Sequence, residues 1–149
     1  MRDEEGVITI AADETIDDTL IVAAERVIVK GNVTGDLLVV GQQVDVTGTV
    51  GGNLWAFGEQ VTISGQVAGM TLGASSTFNV RGASLGGDLW AAGAKVSVDE
   101  QSSVANNGNV AAENVSIEGT IGKDLHAFAE TTELSGTLGQ DLEAFGAYD

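Results

Sequence analysis

The chain has 149 residues, 22 acidic side chains against 6 basic ones, a formal charge of −16, 21 glycines, no proline and no cysteine. That balance disfavours nucleic acid and anionic lipid headgroups as partners, since both are held by Lys and Arg. It also excludes disulfides and thiolate metal sites, which fits a reducing compartment.

The length suits one domain with a continuous core. No run of about 18 apolar residues is present to cross a bilayer as a helix. The opening Met1-Arg2-Asp3-Glu4-Glu5 is acidic and lacks an apolar stretch, so no signal peptide is expected there.

Residues 1–16 read as an irregular first coil or cap, in which Ile8, Ile10, Ala12 and Ile16 fit the frame that follows. From residue 17 the chain repeats every 17 residues, about eight times. Leu20, Leu37 and Leu54 are spaced by 17, and so are Val27, Val44, Val61 and Phe78. Val29, Val46, Ile63 and Val80 follow two residues later, then Gly31, Gly48, Gly65 and Gly82, then Val33, Val50, Val67 and Leu85. A short unit copied at a fixed period stacks on itself.

Within one coil, Leu54-Trp55-Ala56-Phe57 reads as a strand ended by Gly58. Val61-Thr62-Ile63-Ser64 alternates apolar and polar as a half-buried strand. Gly65 makes a corner, Val67 opens a short third side, and Gly51-Gly52 makes another corner. The pattern predicts three short strands and three corners per coil, with strands of successive coils pairing in parallel about 4.8 Å apart. The fold class is therefore all-β, a single-domain parallel β-helix of about eight coils. A right-handed course is expected, because the repeat does not divide by six as left-handed hexapeptide solenoids do.

Two insertions interrupt the period. Ser84 adds one residue, and two more enter near Gln101-Ser102-Ser103. Asn106-Asn107-Gly108-Asn109 then replaces the usual Asp-Leu-Trp-Ala. A corner bulge and one weak side are expected over 99–112. Regular coils continue to 141, and 142–149 read as an open end.

In a stack, each coil position becomes a column. Asp36, Asn53, Asp88, Asn107, Asp124 and Asp141 share one column with Thr19 and Met70. Spaced carboxylates could hold calcium, but the interleaved Asn, Met and Thr favour corner hydrogen bonding. Ile21, Leu38, Trp55, Leu72 and Trp90 occupy the next column, which continues with Asn109, His126 and Glu143. Strand alternation points it outward together with Val40, Phe57, Ala92, Phe128 and Phe145. Leu38, Trp55, Phe57, Leu72, Trp90 and Phe128 thus form a candidate partner face. His126 is the only histidine, so no zinc site is expected.

The ends are the other candidate contacts: Leu142, Phe145 and Tyr148 at one, Ile8 and Ile10 at the other. Unpaired strand edges template association. No cofactor or metal is expected. There is no phosphate-binding Gly-Lys-Ser/Thr and hence no nucleotide site. Enzyme chemistry is disfavoured, because Arg81, Lys95 and Lys123 occupy different columns and no long loops build a cleft. An ice-binding ladder is also disfavoured: Thr47 and Thr49 give way to Ser64 and Gln66 in the next coil.

The phrase Gly31-Asn32-Val33-Thr34-Gly35-Asp36-Leu37, followed by Gly41-Gln42-Gln43-Val44-Asp45-Val46-Thr47-Gly48 and echoed at Gly119-Thr120-Ile121-Gly122-Lys123-Asp124-Leu125, resembles the bactofilins. These are polymer-forming cytoskeletal proteins. The resemblance spans about residues 15–145. It implies a right-handed parallel β-helix that joins end to end, without nucleotide, into non-polar filaments. It also implies self as the main partner, membrane-associated proteins as further ones, and a cytoplasmic or membrane-associated setting. The rival expectation is an extracytoplasmic protein-binding solenoid that uses the apolar stripe.

Overall fold

In the computed structural model the backbone is described for residues 2–4 and 6–148, and side chains for residues 6–146. The described residues form an all-β solenoid of stacked coils. They lie in two parallel sheets of 12 and 8 strands with no helix, apart from one antiparallel strand at the front. Each coil has three sides. Side A begins with Leu20–Ala23 and Leu37–Val40, side B with Val7–Ile10, Arg26–Val29 and Gln43–Val46, and side C with Thr15–Ile16, Asn32–Val33 and Thr49–Val50.

Sides A and B fuse from the third coil onward, where the sequence predicts a strand end at Gly58. Leu54–Ile63, Thr71–Val80, Leu89–Val98, Gly108–Ile117 and Leu125–Leu134 are continuous strands. The reason lies in the corner. Glu59 and Gln60 N–H both donate to Gln42 O of the coil before, so pairing carries on through the bend. Consecutive exposure of Glu59 and Gln60 marks where inside–outside alternation slips phase.

Five inward columns fill the core; four are mostly buried Val, Leu and Ile, and the fifth, through Ala56, mixes Val with Ala. Burying one such side chain contributes about 1.5–3 kcal/mol. Two coils depart from the pattern. In the fourth, Phe78 replaces the column Val and is fully buried; a Cβ added at Gly73 would overlap its ring. Gly73 therefore makes the space that Phe78 takes. In the sixth, Gly108 stands in the Leu column, and Leu125 Cδ1 reaches within 3.1 Å of where its Cβ would be.

The weak side expected over 99–112 is absent. Gly108–Ile117 pairs in unbroken register with both neighbouring coils from residue 108 through Ala112. The backbone ladder does not need the missing side chains. The corner before it is built rather than loose. Asp99 Oδ1 accepts Gly82 N–H at 3.0 Å and the Ser102 hydroxyl at 2.7 Å, while Ser102 Oγ accepts Ala83 N–H at 3.1 Å. Gly82 itself turns with φ +62°, a conformation L side chains rarely adopt.

At the front of the stack, side B alone is covered. Residues 2–4 pair antiparallel to Val7–Ile10, matching Arg2 with Thr9 and Glu4 with Val7. Ile8 and Ile10 keep the frame, opposite Val27 and Val29.

Candidate interaction face and coil ends

Side A carries two outward columns over eight rungs. The first holds Ile21, Leu38, Trp55, Leu72, Trp90, Asn109, His126 and Glu143. The second holds Ala23, Val40, Phe57, Ala74, Ala92, Ala111, Phe128 and Phe145. Both are fixed by the parallel register. Alternation turns these positions out because Leu54 and Ala56, between and beside them, are fully buried. Ile21 is 70% exposed, Val40 and Trp90 44%, Phe128 54% and Phe145 55%. Leu38, Trp55, Phe57 and Leu72 are half-buried, shielded by their bulky neighbours.

The only ionisable side chains on this face are His126 and Glu143, and they contact each other: His126 Nδ1 lies 2.8 Å from Glu143 Oε2. Charge is otherwise excluded from a face of a chain with formal charge −16. Acidic residues stand at its margins instead, with Glu25, Glu59, Glu113 and Glu130 exposed along one side. An apolar, charge-free surface with polar margins is the form of an interaction site.

The face is not level. Between Trp90 and Phe128 the rung falls to Asn109 and Ala111, leaving an open apolar notch of about 250 Å³ with Leu72 at its edge. Phe128 and Phe145 stack in successive coils with ring centroids 4.8 Å apart and planes 3° apart. Phe145 is thus part of the lateral stripe. The sequence places it both in the outward column and among the end contacts, and the ring stack assigns it to the stripe.

At the coil ends, Leu142 is half-buried and Ile8 is half-buried, while Ile10 is fully buried in the core and offers no surface. The backbone of Tyr148 belongs to Leu142–Tyr148, but its side chain lies outside the described residues. Leu125 N–H donates to Asp141 O of the following coil. By the same alternation Leu142 and Ala144 direct their N–H groups away from the stack.

The Asp/Asn column does corner work, by a route the sequence did not reveal. Asp36 Oδ1 accepts Asn53 N–H at 2.7 Å, and Asn53 Oδ1 accepts Met70 N–H at 2.8 Å. Asp88, Asn107 and Asp124 repeat this to Asn107, Asp124 and Asp141 at 3.0, 3.1 and 2.9 Å. Each side chain therefore satisfies the corner amide of the next coil rather than its own turn. Met70 has no oxygen, so the ladder runs in two segments. No cluster of three or more metal-ligating side chains occurs among the described residues.

Asp99 is a corner carboxylate whose acidity is set by its hydrogen bonds. Burial raises its pKa, but the hydrogen bonds from Gly82 and Gln101 N–H and the Ser102 hydroxyl, with the Arg81 charge, outweigh that and hold it below the usual carboxylate range. Thr71 and Thr132, standing at apolar core positions, are buried with hydroxyls that have no partner.

No family model matches the chain, and no curated protein or solved structure is significantly similar to it.

Proposed function

We propose that this solenoid is a non-enzymatic structural scaffold that assembles with copies of itself end to end, in the manner of the bactofilins it resembles. The observation that carries the reading is the parallel pairing of the last described strand, which holds its register from Leu142 to Phe145 and slips by one residue beyond it. Leu142–Tyr148 pairs with the coil before it, and no described strand lies on its other side. A second chain meeting that edge gains main-chain hydrogen bonds and covers half-buried Leu138, Leu142 and Ala144. The front differs on one side, because the strand at 2–4 already pairs with side B there, while Leu20–Ala23 and Thr15–Ile16 have no described strand before them. Back-to-back contact between like ends, with antiparallel strands across a two-fold axis, is the arrangement this asymmetry favours. No nucleotide takes part.

The excess acidity opposes association at low salt and is screened at high salt. Ala144→Pro tests the reading, since it deletes an outward N–H while leaving the donors of the inner ladder in place. Electron microscopy of the pure protein in high salt is expected to show filaments or paired rods, and the variant shorter particles. Unchanged particle length in the variant, with its far-UV spectrum intact, would refute assembly through this edge.

The rival reading is a protein-binding module that acts through side A. The exclusion of charge from that face supports it, and it is compatible with assembly at the ends.

A further inference from the structure

We infer that side A is the contact surface of a lateral, antiparallel dimer of this chain. The argument is one of shape. When two copies lay their side A faces together about a two-fold axis across the rods, each column meets itself in reverse order, so the third rung meets the sixth and the fourth meets the fifth.

The second column then sets each phenylalanine against a smaller side chain. Phe57 faces Ala111, Val40 faces Phe128, Ala23 faces Phe145, and Ala74 faces Ala92. In the first column Trp55 enters the notch at Asn109, and Leu72 meets Trp90. The partner's Trp55 and Phe57 fill the same notch on the other copy. This self-complementary fit falls at the register that overlaps all eight rungs, so shape and maximum burial agree. The parallel alternative sets Trp55 against Phe57 twice and leaves the notch at Asn109 and Ala111 facing itself, crowded at one rung and hollow at another.

Area and charge agree with a modest, salt-dependent dimer. Eight rungs at 4.8 Å spacing and a face about 15 Å across give roughly 600 Å² per copy, near the lower bound of about 1,200 Å² in total for stable interfaces. His126 then faces Leu38 and Glu143 faces Ile21 in the two outer rungs, where the margins stay wet. Glu59 of one copy approaches Glu113 of the other at the acidic margin, so pairing strengthens as salt screens that repulsion.

This contact is separate from the coil ends, so it is tested in the Ala144→Pro background, where end-on assembly is blocked. Sedimentation equilibrium of the full chain in high salt is expected to show a dimer that weakens in low salt. Phe57→Ala and Ala111→Phe are each expected to weaken it about tenfold. Phe57→Ala/Ala111→Phe together, which exchange knob and notch, are expected to return it to within about threefold of the parent. Residues 57 and 111 stand three rungs apart in one chain, so a change in folding does not produce that rescue. Thermal melts check that each variant is folded. A double variant as weak as the two losses combined overturns the inference. So does a monomer at every salt concentration, or a monomer that binds phosphatidylcholine vesicles through the Trp55 and Trp90 face.

Discussion

The fourth and sixth coils both break the repeat, and they are repaired differently. The fourth enlarges one core residue and shrinks another, so that Phe78 and Gly73 together conserve the coil's volume. The sixth removes a core Leu, and the following coil answers by leaning Leu125 toward Gly108. On the outside the two coils receive no such repair. The fourth keeps Leu72, whereas the sixth, with Asn109 and Ala111, is left as a notch. Volume is conserved where water is excluded, because an interior void forfeits contacts. It is unconstrained where water fills the gap, so the outer face is free to take a shape of its own.

The comparison is broken most severely at Gly73. Gly73→Ala sets a methyl into the Phe78 ring and against the Ala56 carbonyl, and it is expected to cost about 3 kcal/mol. Gly108→Ala meets only side-chain ends, Leu125 Cδ1 at 3.1 Å and Ile121 Cδ1 at 3.4 Å, and is expected to cost less than about 1 kcal/mol. Urea titrations of the two variants compare them directly. Equal losses would mean that the sixth coil is packed as tightly as the fourth.

The corner leading into the sixth coil carries the next effect. Asp99 is held below the usual carboxylate range when folded, so its stabilising contribution is present above that range and is lost as pH falls through it. Asp99→Asn is expected to cost about 1–2 kcal/mol at neutral pH. The difference from the parent should start to close as the pH falls below about 4 and close fully only below the lowered folded pKa, where the parent carboxyl is also neutral. A gap that stays constant with pH would assign the loss to geometry alone.

The smallest effect runs the other way. Thr71 stands where other coils have Leu, its hydroxyl unpartnered in the core beside Gly73. Thr71→Val keeps the shape and removes the orphan oxygen, and it is expected to raise stability by about 1 kcal/mol. A loss instead would show that the fourth coil depends on that hydroxyl.

Much of this molecule was legible in the sequence. The columns at Leu54, Val61, Ile63 and Val67 stand where their spacing of 17 puts them. The outward course of Trp55, Phe57, Trp90 and Phe128 follows from strand alternation alone. Such features are local or periodic, and a stack translates period directly into position. The fusion of sides A and B at Gly58 was not legible, because glycine permits a bend whether or not hydrogen bonding continues through it. The persistence of the strand at Gly108–Ile117 was not legible either. Side chains forecast strands, but a ladder is held by backbone between two good neighbours.

What the sequence determined by itself was the repeat, the parallel stack, the identity of the core columns and the exclusion of charge from one side. Each is a property of periodic apolar and polar choice. Only the tertiary structure decided which irregularities cancel and which remain. Gly73 with Phe78, Gly108 with Leu125, and the handing of each Asp or Asn oxygen to the next coil's amide all depend on contacts between residues in different columns or coils. The stacking of Phe145 on Phe128 and the notch at Asn109 and Ala111 belong to the same class. A period fixes where a residue stands along the stack, but the space around it is set by its neighbours in three dimensions.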